Sequence, residues 1–318
     1  MKTPVAVFIF NRPDLTRRVF ARIAQAKPQR LLLVADGPRA DRIDDAALVA
    51  ATRKVVEQVD WPCEVLRNYS DTNLGCRNRV SSGLDWVFES VEEAIILEDD
   101  CLPDASFFPY CVELLERYRD NPRVMHIGGN NFWGPRVRLP HSYCFSRYAH
   151  IWGWATWRRA WKLYDRDMRQ WPGPDPQDVL GRALRRRDER RYWAARFDLA
   201  KAGRIDTWDF AWLFTCWAAD GVAITPRVNL VTNLGFGGDS THTPDGGHAF
   251  ANMAAASIES PLIHPPRLAV DRRLERLTFR TVFEAPLSPK EKLQLARWTM
   301  GKALRRLLRF PVSKGAGT

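Results

Sequence analysis

Three unbroken apolar runs, each stopping at polar residues, constrain this chain more than any other feature. PVAVFIF (4–10) stops at Asn11-Arg12-Pro13, RLLLVAD (30–36) at Asp36-Gly37-Pro38, and AIILED (94–99) runs into the triplet Glu98-Asp99-Asp100. Short apolar runs without alternation predict strands buried on both faces. Helical spacing fills the intervals. Leu15, Val19, Ile23 and Ala26 follow Pro13, which suits a first turn; Ile43, Ala47, Ala50, Val55, Val56 and Val59 form a second stripe. EVLRNY (64–69) reads as a further strand, and Val80, Leu84, Val87, Phe88 and Val91 as a third helical stripe. Strands alternating with helices predict an α/β fold with a mostly parallel sheet flanked by helices.

Ligands of such sheets bind outside the carboxyl ends of the strands, so the polar residues that end the runs are the informative ones. Glu98, Asp99 and Asp100 repel one another, and gathering them where strands pack is costly unless a cation or proton compensates. Neither G-x-G-x-x-G nor G-x-x-x-x-G-K-[ST] is present to hold phosphates. The expected substitute is Mn2+ or Mg2+ on the acidic triplet, with a diphosphate filling the remaining coordination sites. The plain alternative is a solvated turn.

With 318 residues, 45% apolar and 11% aromatic, the chain has ample material for a core. It has no 18-residue apolar run, and its N-terminus turns polar early, which predicts a cytoplasmic protein without a spanning helix or signal peptide. Six cysteines, far apart and without a C-x-x-C pair, predict reduced, mostly buried thiols. A net charge of +11 favours anionic partners, and it is concentrated in RALRRRDERR (182–191) and KALRRLLRF (302–310). No RNA-recognition, helix-turn-helix or C2H2 pattern accompanies these blocks, so nucleic acid is not an expected partner. Beyond residue 120, VMHIGGNN reads as one more strand with a glycine turn, WPGPDPQD (171–178) as a loop, and 178–202 and 209–219 as helical.

The order PVAVFIFNRP, VADGPR, NLGCRNRVSSGLDWVF, AIILEDDCLPDASFFPYC resembles the donor half of GT-A fold glycosyltransferases over about residues 4–120. The likeness is to the N-acetylglucosaminyltransferase I family and the bacterial surface-polysaccharide enzymes related to it. It implies a Rossmann-like GT-A fold in which Asp100 binds the metal and Glu98 and Asp99 contact the ribose and sugar of a nucleotide-sugar donor. Asn11 and Arg12 would belong to the donor site, with Arg12 reaching the diphosphate or nucleoside, Asp36 the uracil edge and Arg79 the pyrophosphate. It divides the chain into a donor half (1–125), an acceptor and catalytic-base half of the same globule (126–285) and a basic tail (286–318).

Several of these residues carry a second reading. Asp36 has a chemical rationale of its own, because a carboxylate accepts the uracil N3–H and so separates uracil from cytosine; a turn-forming Asp before Gly37-Pro38 is the other reading. Arg77 and Arg79 follow an N-L-G turn at a helix start, which favours anions, or are ordinary solvated arginines. HIWGWATWRRAW (150–161) resembles the family's tryptophan segment, with Trp152 and Trp154 as candidate acceptor-binding walls or else as core.

IDTWDFAW (205–212) resembles the W-D-D-W stretch that carries the family's catalytic base, although its second Asp is missing. Asp209 is the expected base, Asp206 the fallback, and a helix cap the alternative for both. NLGFGGDSTHT (233–243) resembles a late loop closing over the nucleotide, in which Asp239 or His242 approaches the metal or diphosphate; the alternative is a surface loop. The basic amphipathic stretch 289–311 suits a helix on an anionic membrane and equally one packed on the body.

The expected activity is a metal-dependent, inverting transfer of sugar from a nucleotide diphosphate donor, a UDP-sugar, to a hydroxyl of a bacterial surface glycan or lipid-linked acceptor. The enzyme would be cytoplasmic, with peripheral contact at the inner face of the membrane. Two other classes compete. A sugar nucleotidyltransferase would carry a Gly-rich loop where NRPDLTRR stands, and a non-catalytic basic membrane- or polyanion-binding module would bind no nucleotide with metal.

Overall fold

The computed structural model describes residues 1–134, 137–172, 176–236 and 250–283. Its first part alternates strand and helix: β1 (Val5–Ile9), α1 (Pro13–Ala26), β2 (Arg30–Ala35), α2 (Asp45–Val56), β3 (Glu64–Tyr69), α3 (Gly75–Ser90) and β4 (Glu93–Glu98). A short β5 (Cys101–Pro103), α4 (Phe107–Arg117), β6 (Val124–Gly128), β7 (Tyr143–Ser146) and β8 (Trp154–Trp157) follow. The remainder is α5 (Arg158–Trp161), α6 (Pro176–Ala183), α7 (Arg187–Lys201), α8 (Asp209–Ala218), β9 (Val222–Pro226), β10 (Val231–Asn233) and α9 (Arg272–Thr278).

Eight strands form one sheet in the order β3-β2-β1-β4-β8-β6-β9-β7. Contacts among β1, β2, β3 and β4 are parallel, as is β6 with β9; β8 is antiparallel to β4 and β6, and β7 to β9. The fold is therefore the α/β, mostly parallel, helix-flanked arrangement that the apolar runs predict. Strands from before and after residue 120 hydrogen-bond within the same sheet.

Burial on both faces explains the unbroken runs. Val5, Val7 and Ile9 of β1 join one apolar layer with Val19, Phe20 and Ile23 of α1 and Phe107 and Phe108 of α4. Ala6 and Phe8 join the opposite layer with Val80, Leu84 and Val87 of α3 and with tryptophans of α5, α7 and α8. Of the 13 tryptophans, six lie deep in the core: Trp154, Trp157, Trp193, Trp208, Trp212 and Trp217 are each less than 2% exposed. All six cysteines are free thiols, three buried and three half-buried. Among the described residues no helix is long and apolar enough to cross a membrane.

Two expectations need correction. Helix α2 does not bury the stripe through Ile43, Ala47 and Ala50. Ile43 is 98% exposed, and Asp45, Val49 and Thr52 face inward together with Val56, the one residue of the expected stripe that is fully buried. Alanine supplies little hydrophobic drive, whereas Asp45 is drawn in by Arg39 and Asn11, whose side chains donate to it and hold its carboxyl down to about 2. The helical span 178–202 is two helices, α6 and α7, interrupted at 184–186, where Leu184 is buried and Arg185 and Arg186 face solvent. The segment 286–318 and His242 lie outside the described residues.

Candidate active site

The register of the sheet brings the three polar strand ends together. Phe8 of β1 is opposite Val34 of β2 on one side and Glu98 of β4 on the other, so Arg12, Asp36 and the acidic triplet emerge at one edge. They line a cleft of about 390 Å³ that is also lined by Trp152, Asp206, Thr207 and Asp209. Two connections close it. Strand β10 pairs antiparallel with β5, placing Asn233 opposite Cys101, and Leu234 N–H donates to the Asp100 carbonyl at 2.8 Å.

The compensating cation inside this cleft is Arg12. Its guanidinium pairs with Asp99 through Nη2 and with Asp100 through Nη1, the latter at 2.9 Å. Burial works against the guanidinium's charge, but the two aspartates outweigh it and keep Arg12 charged above its ordinary range. One arginine does not neutralise the cluster. Burial, then the neighbouring Asp100 and Asp99, pushes the Glu98 carboxyl up to about 8. Burial likewise pushes Asp99 up to about 6 against the pull of Arg12, and Asp99 also accepts the Phe10 N–H at 3.1 Å. The cleft is thus short of positive charge even with Arg12 in place.

The chemistry of the donor set suits a hard divalent ion, since every candidate is a carboxylate oxygen. No three His, Cys, Asp or Glu side chains among the described residues form a ready-made cage. The residues therefore fit Mg2+ or Mn2+ held by one or two carboxylates, Asp100 first, with the rest of the shell from a diphosphate and water. Gly235 permits this crowding. A Cβ there would stand 2.0 Å from Asp100 Oδ2 and 3.1 Å from Arg12 Nη1. Gly235→Ala should therefore push the β10 loop off the acidic cluster, lowering unfolding free energy by about 1–3 kcal/mol in a denaturant melt.

Asp209 opens α8 at the cleft. Thr207 Oγ1 and the Phe210 N–H (2.9 Å) both donate to its Oδ1, fixing the carboxylate's orientation. Trp208 anchors this turn by stacking on Trp154 at 5.5 Å between ring centroids, and its carbonyl accepts the Tyr164 hydroxyl at 3.3 Å. Glu98, Asp209, Asp206 and Asp100 all act on the Cys76 thiol, which burial first and these four charges next hold well above its ordinary range. Four carboxylates from two parts of the chain thus act on one thiol.

Other predicted site residues are placed differently. Trp154 does not reach the cleft; it is 1% exposed in the sheet, stacked on His126 at 4.9 Å. Trp152 does line the cleft, edge-on to Phe132 and Phe236. Asn11 turns away to donate to Asp45 at 2.8 Å. Arg79 lines the cleft, yet its guanidinium donates to the Ala35 carbonyl at 3.2 Å and to the carbonyl and side chain of Asn68, tying the ends of β2 and β3. Arg77 donates to the Arg166 carbonyl at 2.8 Å. Asp36 is buried and accepts backbone N–H groups.

Cleft residues that the sequence reading did not single out are Asn73, Cys76, Thr207 and Asn233. A signal for them exists: the tripeptide Asn-Leu-Gly occurs at 73–75 and again at 233–235, and both copies turn the chain against the cleft.

Among solved structures the chain is similar to the mannosyltransferase PcManGT from Pyrobaculum calidifontis in complex with GDP-Man and Mn2+, at 15% identity over 69% of this chain and 74% of that one, TM-score 0.37. It is similar to S. aureus TarS at 10% identity over 69% and 70%, TM-score 0.36. It is also similar to 4-diphosphocytidyl-2C-methyl-D-erythritol synthase from Anaerococcus prevotii at 10% identity over 51% and 75%, TM-score 0.33. No family model and no curated protein matches the sequence.

Proposed function

We propose that this chain is a metal-dependent, inverting glycosyltransferase of GT-A type that moves a sugar from a UDP-sugar to a hydroxyl of a glycan or lipid-linked acceptor. One observation carries the reading: at the carboxyl edge of the parallel strands, one cleft is lined by the Glu98-Asp99-Asp100 triplet, Arg12 and Asp209 together. A transfer that displaces a diphosphate needs positive charge at the leaving group and a base on the opposite face.

In this reading residues 1–125 hold the donor and 126–285 the acceptor and base. Arg12 exchanges part of its pairing with Asp99 and Asp100 for the incoming diphosphate. Asp100 holds Mn2+ or Mg2+, which when bound stabilises the negative charge gathering on the departing diphosphate. Glu98 and Asp99 contact the ribose and donor sugar in this reading, and Trp152 offers an apolar ring face to the acceptor sugar. Asp209, oriented by Thr207, takes the proton from the acceptor hydroxyl as that oxygen attacks the anomeric carbon. Attack from the side opposite the diphosphate inverts the anomeric centre. The basic amphipathic sequence at 289–311 supports an acceptor carried on lipid and contact with an anionic membrane face.

The test is a thermal-shift panel of nucleoside diphosphates and nucleotide sugars with and without Mn2+. UDP and UDP-sugars should raise the melting temperature with Mn2+ and lose that effect in a chelator. A shift with a nucleoside triphosphate plus a sugar phosphate, and none with UDP, would replace this reading with nucleotidyl transfer.

A further inference from the structure

The carboxylate at the end of β2 is already spent. Asp36 Oδ1 accepts the N–H groups of Gly37 and Leu74, each at 2.9 Å; Oδ2 accepts the Gly75 N–H at 3.2 Å and the Asn73 side-chain amide at 3.1 Å. Four donors occupy the four lone-pair directions of a carboxylate that is 6% exposed. The two loops it joins are in direct contact, because a Cβ on Gly37 would lie 2.5 Å from the Thr72 backbone. Asp36 is a clasp, with no lone pair left for a ligand N–H.

Asn73 is fixed by the same clasp. Its Nδ2 donates to Asp36 Oδ2 at 3.1 Å and to the Gly37 carbonyl at 3.0 Å, which uses both amide hydrogens. Turning the amide over would set Oδ1 against a carboxylate and a carbonyl, acceptor against acceptor, so chemistry fixes its orientation. Oδ1 is therefore directed away from the clasp, on a half-buried side chain that lines the cleft, and no described residue donates to it. The same cleft is lined by Phe10 with the Arg39 guanidinium 5.2 Å from its ring centroid, Arg39 being held by Asp45. A fixed lone acceptor in a cleft that also presents an aromatic ring and a guanidinium suits a planar ring that carries an N–H on its edge.

We propose, building on the reading of the cleft as a nucleotide site, that Asn73 Oδ1 selects the base by accepting a lactam N–H. Uracil at N3 and guanine at N1 present that hydrogen; cytosine at N3 and adenine at N1 present a lone pair and are refused. Asp36 is then a positioning residue, acting through Asn73 and not on the base.

Calorimetric titration with UDP, GDP, CDP and ADP in Mn2+ tests this without any variant. The wild-type protein should bind UDP roughly tenfold or more tightly than CDP, about the worth of one hydrogen bond gained against one lone-pair clash. Asn73→Ala should weaken UDP several-fold and leave CDP unchanged or tighter, bringing the ratio near one. Asp36→Asn, which removes one of the two acceptors that fix the Asn73 amide, should narrow the ratio but less completely than Asn73→Ala. Equal binding of UDP and CDP by the wild type, parallel losses of both in Asn73→Ala, or a ratio erased by Asp36→Asn alone would overturn base selection by Asn73 while leaving the nucleotide site standing. Failure of every nucleotide to bind the wild type would overturn both.

Discussion

Asp209→Asn is expected to lower the turnover of sugar transfer by about 10³-fold while leaving Mn2+-dependent UDP binding within roughly threefold of wild type. The amide keeps the shape of the carboxylate and its position at the start of α8, and its oxygen still accepts from Thr207 Oγ1 and the Phe210 N–H. What it loses is the capacity to take a proton. Steady-state kinetics beside a binding titration separate the two quantities. A loss confined to KM would make Asp209 a binding residue and hand the base role to Asp206, which lines the same cleft.

The second large effect concerns Asp100. In Asp100→Asn the unliganded protein should keep its fold, because Arg12 remains paired with buried Asp99 and the mutual repulsion around Glu98 falls. Ligand-driven stabilisation should vanish. Wild-type protein at UDP near one hundred times its dissociation constant, with saturating Mn2+, gains about 2.7 kcal/mol, and the variant should gain almost none at the same concentrations. Chemical-denaturation midpoints with and without UDP and Mn2+ measure both numbers. A variant that loses fold along with ligand response would point to a structural role for the Asp100–Arg12 pair.

Strands β1, β2 and β4 were legible because both faces of the sheet are covered there, which forces unbroken apolar runs such as Val5–Ile9 and Ala94–Leu97, whereas β5 and β7 to β10 were not read from the sequence. The site edge followed, since polar residues that end such runs share one edge in a parallel sheet. The identity of the first compensating cation was harder to read. Arg12 meets Asp99 and Asp100 across 87 and 88 residues of sequence, and no local pattern announces that pairing. Trp152 and Trp154 illustrate a different limit. Their spacing of two places them on one face of an ideal strand, but Gly153 has φ +70°, so the backbone turns between them and leaves one in the cleft and the other in the core. Asp36 shows a third. Its position at a strand end is visible in sequence, whereas the backbone donors that saturate it come from residues 74 and 75, beyond another strand.

Crystals grown with Mn2+ and UDP, measured at the manganese absorption edge, give the most direct answer. The account predicts an anomalous peak within coordination distance of an Asp100 carboxylate oxygen, bridged to the diphosphate, with Arg12 turned toward a phosphate. Bound UDP with no metal at that carboxylate, and Arg12 still closed on Asp99 and Asp100, would contradict it.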